Sequence, residues 1–376
     1  MVKKLFLILL MTVLVGGSIL SGCAQPTPAP APAPTPAPAP KPAPAPAPIE
    51  LVYAHYLPPT HPGCVYDEMM LAELEKRTAA IGKPVKIEFF YNGALGTNKE
   101  ILDVLLSGGC DITGASAGHY ADRFPIYLTW GGYLRTRSLG LAQFPEIRQL
   151  QDIAWYDYEL QEEKELKPMG LTALRVGSTM TYHFVSTKPL KNLADFKDVK
   201  VRLWSSAYAP MWEAAGTVPI SISSSEVYEG LQRGVVDATA YDYISIKDRG
   251  FYEIADYVCN VYLSTPFIMQ FMRLDRFQSL PPEVQKIWKD LRVEARAGSD
   301  KYLQETYVKD RKFLEDAGVT FVDMPIEDIV EWKTRMGDQL EPTLAKAREL
   351  GVEAEVKEIL DFMEPIIEKY EKQIGM

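Results

Sequence analysis

The sequence predicts an α/β protein built as two lobes, and three observations carry that expectation. Strand-like and helix-like segments alternate from Leu51 to Ser116, and the same alternation restarts near Leu171. About 328 residues follow Pro48, enough for two separate cores.

In the first lobe, Leu51 to His55 reads as a short strand, followed by the turn-rich stretch from Pro58 to Gly63. Val65 to Ala79 reads as a helix, with Met69, Met70 and Leu74 set apart from its Glu, Lys and Arg residues. Val85, Ile87 and Phe89 alternate as a second strand. Thr97-Asn98-Lys99-Glu100 has the form of a capping box, opening a helix through Leu106 that Gly108 and Gly109 end. Cys110 to Ser116 is a third strand. This rhythm implies a parallel sheet.

In the second lobe, Leu171–Val176, Tyr182–Ser186, Val199–Trp204 and Val235–Tyr241 read as strands. Ser206 to Ala215 reads as a helix, and Ser223 to Glu226 forms another capping box before a helix that Gly234 ends. The expected lobes are therefore about 50–172 and about 173–260, each with returning segments. Leu280-Pro281-Pro282-Glu283 opens a long charged helix, since proline suits a first helical turn. It extends to about Phe313 with an interruption at Gly298. The C-terminal third is nearly all helical and carries no chemical motif.

Ahead of the lobes, residues 1–22 read as a secretory signal: Lys3 and Lys4, an apolar run from Leu5 to Val15, then small residues. The run is shorter than the roughly 20 residues a membrane span needs. Its ending, Leu20-Ser21-Gly22-Cys23, resembles a bacterial lipobox, which implies cleavage before Cys23 and lipidation of its thiol. Residues 23–49 form a linker with proline at every even position from 26 to 48. Such alternation favours polyproline II, a semi-rigid spacer of about 3.1 Å per residue.

The formal charge is −10, and loss of residues 1–22 removes two lysines and no acids. An acidic globule argues against nucleic acid or an anionic membrane surface as partner. A small anion is not excluded, because one buried arginine reverses the field locally. Cys64, Cys110 and Cys259 permit at most one intramolecular bridge, which spacing does not assign. Neither the cysteines nor the four histidines show a metal-binding spacing, so no structural metal and no cofactor are expected.

Gly114-Ala115-Ser116-Ala117-Gly118 matches the G-x-S-x-G pattern of serine hydrolases. A hydrolase also needs a histidine to take the serine proton. His119 is too near in sequence, and His183 falls inside a strand of the other lobe. No HGG-type oxyanion loop precedes Ser116. The residue is better read as a ligand contact at a strand's C-terminal end, where open α/β sheets bind ligands.

Five stretches in order resemble the extracytoplasmic solute-binding proteins of TRAP transporters, the dicarboxylate-binding type. They are YAHYLPPTHP, YNGALG with ILDVLLSGGCDI, DFKDVKVRLW, SSSEVYEGLQRGVVDA and LPPEVQKIW, and the resemblance extends over essentially all of residues 50–330 in order and spacing. The resemblance implies a two-lobed periplasmic-binding-protein-like fold with a long lobe-spanning helix and a helical C-terminus. It further implies capture of an organic acid and its delivery to TRAP membrane permease subunits driven by an ion gradient. No enzymatic activity follows from it.

The family commonly clamps a carboxylate with the arginine of a K-x-R-x-P strand motif. Lys200-Val201-Arg202-Leu203-Trp204 matches it at Arg202 and departs at Trp204, where proline is usual. A guanidinium's fixed donor fork meets both carboxylate oxygens at once, which supports Arg202 independently. Arg175 is the alternative cation. Sialic-acid-binding relatives place a second arginine near Tyr182, an asparagine at Tyr241 and an acidic contact at Ser116. These departures favour a monocarboxylate over a dicarboxylate or sialic acid. Tyr182, Trp204, Tyr241 and Tyr56 are expected as further ligand contacts, as is Asp242, which stands where some keto-acid-binding relatives hold a cation. His55 and His61 are read as structural. A secreted serine esterase and a ligand-sensing lipoprotein remain the competing readings.

Overall fold

The strands are β1 (Ile49–His55), β2 (Val85–Phe90), β3 (Ile112–Ala115), β4 (Leu171–Ser178), β5 (Tyr182–Ser186), β6 (Lys200–Leu203), β7 (Val218–Ser221), β8 (Ala238–Tyr241), β9 (Tyr257–Leu263), β10 (Phe267–Arg273) and β11 (Thr320–Asp323). The helices are α1 (Pro62–Ala80), α2 (Ile101–Leu106), α3 (Pro125–Arg137), α4 (Pro145–Asp157), α5 (Ala209–Ala214), α6 (Val227–Gln232), α7 (Tyr243–Asp248), α8 (Leu274–Ser279), α9 (Pro282–Asp316), α10 (Ile326–Met336), α11 (Leu340–Glu349) and α12 (Glu353–Ile374). This computed structural model describes residues 47–157, 159–178, 181–263 and 267–376. The leader, Cys23 and most of the Pro/Ala-rich linker lie outside the described residues.

Two sheets organise the chain, in the orders β2-β1-β3-β10-β4 and β11-β9-β5-β8-β6-β7. In the first, β1 pairs in parallel with β2 and β3, as the strand–helix rhythm predicts. The sheet is nevertheless mixed, because β10 returns from the second lobe and inserts antiparallel between β3 and β4. β4 stays in this first sheet, so the chain crosses to the second lobe after residue 178 rather than near 172. Periodicity could not locate that crossing: β4 and β5 are both short apolar strands, and pairing alone assigns each to a sheet.

Alternation along the strands gives the first sheet a core on both faces. Tyr53, Ile112 and Met272 face α1 and the start of α9, where Leu71, Leu74 and Trp288 are buried. Ala54, Ala115 and Phe271 face a layer that includes Trp130, Leu150 and Trp155 from α3 and α4, with Ile359 and Met363 from α12. The second lobe packs Phe184, Val201, Trp212 and Val258 with Trp332 of α10.

Helix α9 joins the lobes. Val284, Trp288 and Leu291 are buried in the first lobe, and Leu314 near the other end is buried in the second. It runs from Pro282 to Asp316 without the interruption expected at Gly298. One helical glycine costs about 1 kcal/mol against alanine. Burial of a single large apolar side chain contributes about 1.5–3 kcal/mol, so anchorage at both ends outweighs it. Glu294 of this helix meets Arg77 of α1 at 2.6 Å, and Asp310 meets Lys247 of α7 at 2.7 Å.

The Ser223–Glu226 capping box forms in full and the Thr97–Glu100 one only in its Glu100 half, each just before the regular helix. Glu100 accepts from the Thr97 amide, and α2 begins at Ile101. Ser223 and Glu226 cap a short 3₁₀ turn, and α6 begins at Val227. Helix α1 starts earlier than expected, because His61 accepts from the Gly63 amide and Pro62 occupies the first turn. Cys64, Cys110 and Cys259 are free and buried, which resolves the open question of a bridge among them.

Candidate functional site

A small cavity of about 40 Å³ lies where the C-terminal edges of the parallel strands from both lobes meet. Tyr56 follows β1 and Ser116 follows β3; Trp204 follows β6 and Tyr241 ends β8. Two antiparallel strands contribute residues from their starts at the same edges, Tyr182, the first of β5, and Ile268, the second of β10. Strand direction therefore gathers side chains from six separate segments at one place.

Six of the seven residues expected to contact ligand line this cavity: Tyr56, Ser116, Tyr182, Arg202, Trp204 and Tyr241. The seventh, Asp242, does not line it. Asp242 is fully buried as the N-cap of α7, accepting from the Ser245 amide at 2.7 Å and the Ser245 hydroxyl at 3.1 Å. Burial, against those two bonds and the Arg249 charge, pushes its carboxyl up to about 6. Asp242 thus orients the segment just after Tyr241, and no cluster among the described residues is arranged to hold a metal ion.

Arg202 is only 4% exposed, and no acidic residue pairs with it among the described residues. Its Nε donates to the Ile222 carbonyl at 3.3 Å and its Nη1 to the Tyr241 hydroxyl at 2.8 Å. Two of the five N–H groups are so engaged, and the guanidinium keeps donors for a ligand. Burial raises the Tyr241 phenol, but Arg202 and Arg249 outweigh it and hold that group below its usual value. Arg175, the alternative cation, is spent elsewhere: its Nε meets Asp67 at 2.6 Å and its Nη2 donates to the Gly63 carbonyl.

The walls are aromatic. Tyr182 meets Trp204 edge-on at 5.9 Å between ring centroids and lies 5.7 Å from Tyr241. On the first-lobe side, Tyr56 and His119 are perpendicular at 5.6 Å. Burial and the Arg202 charge lower His119 to about 4, so its ring is neutral at physiological pH.

Sequence reasoning missed Leu57, His61, His119, Ser224 and Ile268, which also line the cavity. His61 was read as structural, and it is both a helix cap and a wall. Arg249 was missed as well. It lies outside the lining, with its guanidinium carbon 5.2 Å from the centre of the Tyr241 ring. A capping box flagged Ser224 locally, but nothing in sequence placed Arg249 beside the site.

The hydrolase reading of Ser116 has no geometric support. Among the described residues no hydrogen bond joins Ser116 to a histidine, and His183 bonds Tyr307 instead at 3.0 Å.

A family model for bacterial extracellular solute-binding proteins, family 7 (DctP), matches residues 53–346. A solute-binding protein of Roseobacter denitrificans is 24% identical over 248 residues, covering 64% of this chain and 72% of that protein. The sialic acid-binding periplasmic protein SiaP of Vibrio cholerae is 26% identical over 178 residues, covering 45% of this chain and 51% of that protein. Among solved structures, a TRAP periplasmic solute-binding protein from Desulfovibrio salexigens with bound orotic acid superposes with a TM-score of 0.72. It is 20% identical and covers 85% of this chain and 99% of that one. A TRAP solute-binding protein from a marine metagenome, in complex with pyroglutamate, gives a TM-score of 0.70 at 19% identity, covering 86% of this chain and 99% of that one. These relatives are solute-binding proteins rather than enzymes, and they share the two-lobed fold. With the family model spanning both lobes, the chain belongs to the bacterial extracellular solute-binding proteins of family 7, the solute-binding proteins of TRAP transporters.

Proposed function

We propose that this protein captures a small organic monocarboxylate through Arg202 and delivers it to the membrane permease of a TRAP-type transporter. The observation that carries the reading is the buried Arg202 guanidinium, without an acidic partner, in the wall of a cavity between the lobes. A buried cation without a counter-charge is costly, and an ionised carboxylate supplies that charge in bidentate geometry.

The rest of the cavity argues for one carboxylate. Tyr182 and Tyr241 stand where relatives' second cation and amide are expected, and they offer ring faces with hydroxyl tips. A second carboxylate buried against these walls would lose several kcal/mol of hydration without a charged partner. Arg249 does not line the cavity, so it attracts an anion at a distance without pairing to it. Orotic acid and pyroglutamate, bound by two of the similar structures, each carry one carboxyl group.

The leader supports an extracytoplasmic protein anchored by lipid on Cys23, with the Pro/Ala-rich segment as tether. A palmitate label should mark the wild type and not Cys23→Ser, and equal labelling would remove the anchor from the proposal. For the solute, mass spectrometry of material released on denaturation, with a thermal-shift screen of mono- and dicarboxylates, is the direct test. Tightest binding by C4-dicarboxylates would overturn the monocarboxylate assignment.

A further inference from the structure

A larger cavity than the Arg202 one lies elsewhere: a groove of about 630 Å³ between α3, α5, the end of α10 and α11. Its walls come from both lobes, with α3 and α11 packed in the first core and Tyr208 and Met211 in the second. Arg135 of α3 lines it. This side chain is 5% exposed and forms no ion pair and no hydrogen bond among the described residues. Its guanidinium carbon lies 4.8 Å from the centre of the Tyr208 ring. Gly131 and Gly132 lie beside it, and a Cβ at Gly132 would stand in van der Waals contact with Nη2 at 3.4 Å.

A cation–π contact offsets only part of the desolvation of a guanidinium, and it satisfies none of the five N–H donors. The other charged groups of the groove do not supply a counter-charge. Arg335 pairs with Glu331 at 2.9 Å and Lys346 with Glu349 at 2.8 Å, and the one acid in the lining, Glu213, makes no ion pair with Arg135. In a chain of net charge −10, this groove therefore gathers three cations and a single acid. Leu128, Met211, Met336 and Pro342 supply apolar wall beside them. The volume is that of a small-molecule site.

We propose that this groove is a second ligand site, separate from the Arg202 cavity, that takes an organic carboxylate with a flat apolar body. The carboxylate pairs with Arg135, and the body lies along the apolar wall. An occupant touches both lobes at once.

The test uses 2-naphthoate as probe, titrated by calorimetry into the globular chain. Wild type and Arg202→Ala are expected to bind it alike with one-to-one stoichiometry, because its carboxylate pairs with Arg135 and not with Arg202. Arg135→Gln should weaken binding tenfold or more. Ala214→Trp fills the groove from the second lobe without altering Arg135, and it should weaken binding as strongly. Equal binding by wild type and Arg135→Gln, loss of binding in Arg202→Ala, or no saturable binding to the wild type would each overturn the proposal.

Discussion

Arg202 of β6 donates from Nη1 to the hydroxyl of Tyr241, at the end of the neighbouring strand β8, at 2.8 Å. The bond aims a buried guanidinium while leaving other donors for solute. Tyr241 is held in turn, with its hydroxyl 3.2 Å from that of Ser224. Four predictions follow from this arrangement and its surroundings.

Arg202→Ala should reduce affinity for a bound monocarboxylate by about 2–5 kcal/mol, because the carboxylate then lies buried without its partner. Calorimetry measures this directly. A loss below tenfold would show that Arg202 is not the clamp.

Tyr241→Phe removes the acceptor and keeps the ring. Leaving a buried charged donor unpaired costs about 1–3 kcal/mol. Without its support the guanidinium is less well placed, and affinity should fall about tenfold. Arg202→Ala combined with Tyr241→Phe should cost little more than Arg202→Ala alone. Additive losses in that double-mutant cycle would mean that the hydroxyl acts on the solute independently of Arg202.

Asp242 gives a pH signature in stability. Its folded pKa of about 6 lies above the ordinary carboxyl value of 3.8, so between those limits the folded chain holds a proton that the unfolded chain has released. The resulting stabilisation is complete below about pH 4 and is lost as pH rises through 6, on the order of 2–3 kcal/mol. Asp242→Asn keeps an acceptor for the Ser245 amide and carries no charge. It should melt higher than wild type at pH 7.5 and level with it at pH 4. A melting-temperature gap of the same size at both pH values would refute this.

Lobe closure supplies the fourth prediction. The Arg202 cavity is lined by residues of both lobes, so solute is expected to bind a closed arrangement better and to shift the population towards it. Small-angle scattering should give a smaller radius of gyration with solute than without. His119 stays neutral far above its value of about 4, so solute affinity should be level between pH 7 and 8, above the titration of Asp242. A tenfold change across that range would contradict the neutral ring.

The sequence by itself determined many of the elements and marked much of the candidate site. Periodicity located β1 to β6 and β8 and missed β7, β9, β10 and β11, while the K-x-R motif marked Arg202 without any geometry. Local signals suffice there because strand alternation, capping and motif spacing are properties of a few consecutive residues. Tertiary structure alone decided which sheet β4 joins, where β10 inserts, and that α9 passes through Gly298 unbroken. It also separated two neighbours that look alike in sequence, turning Tyr241 into the cavity and Asp242 onto the amide of Ser245. Arg175 and Arg202 both lie in apolar strands, and only packing put Asp67 beside the first and left the second without an acid. Whether a buried charge is structural or free to bind depends on residues far away in the chain. That information resides in contacts, not in any local stretch of sequence.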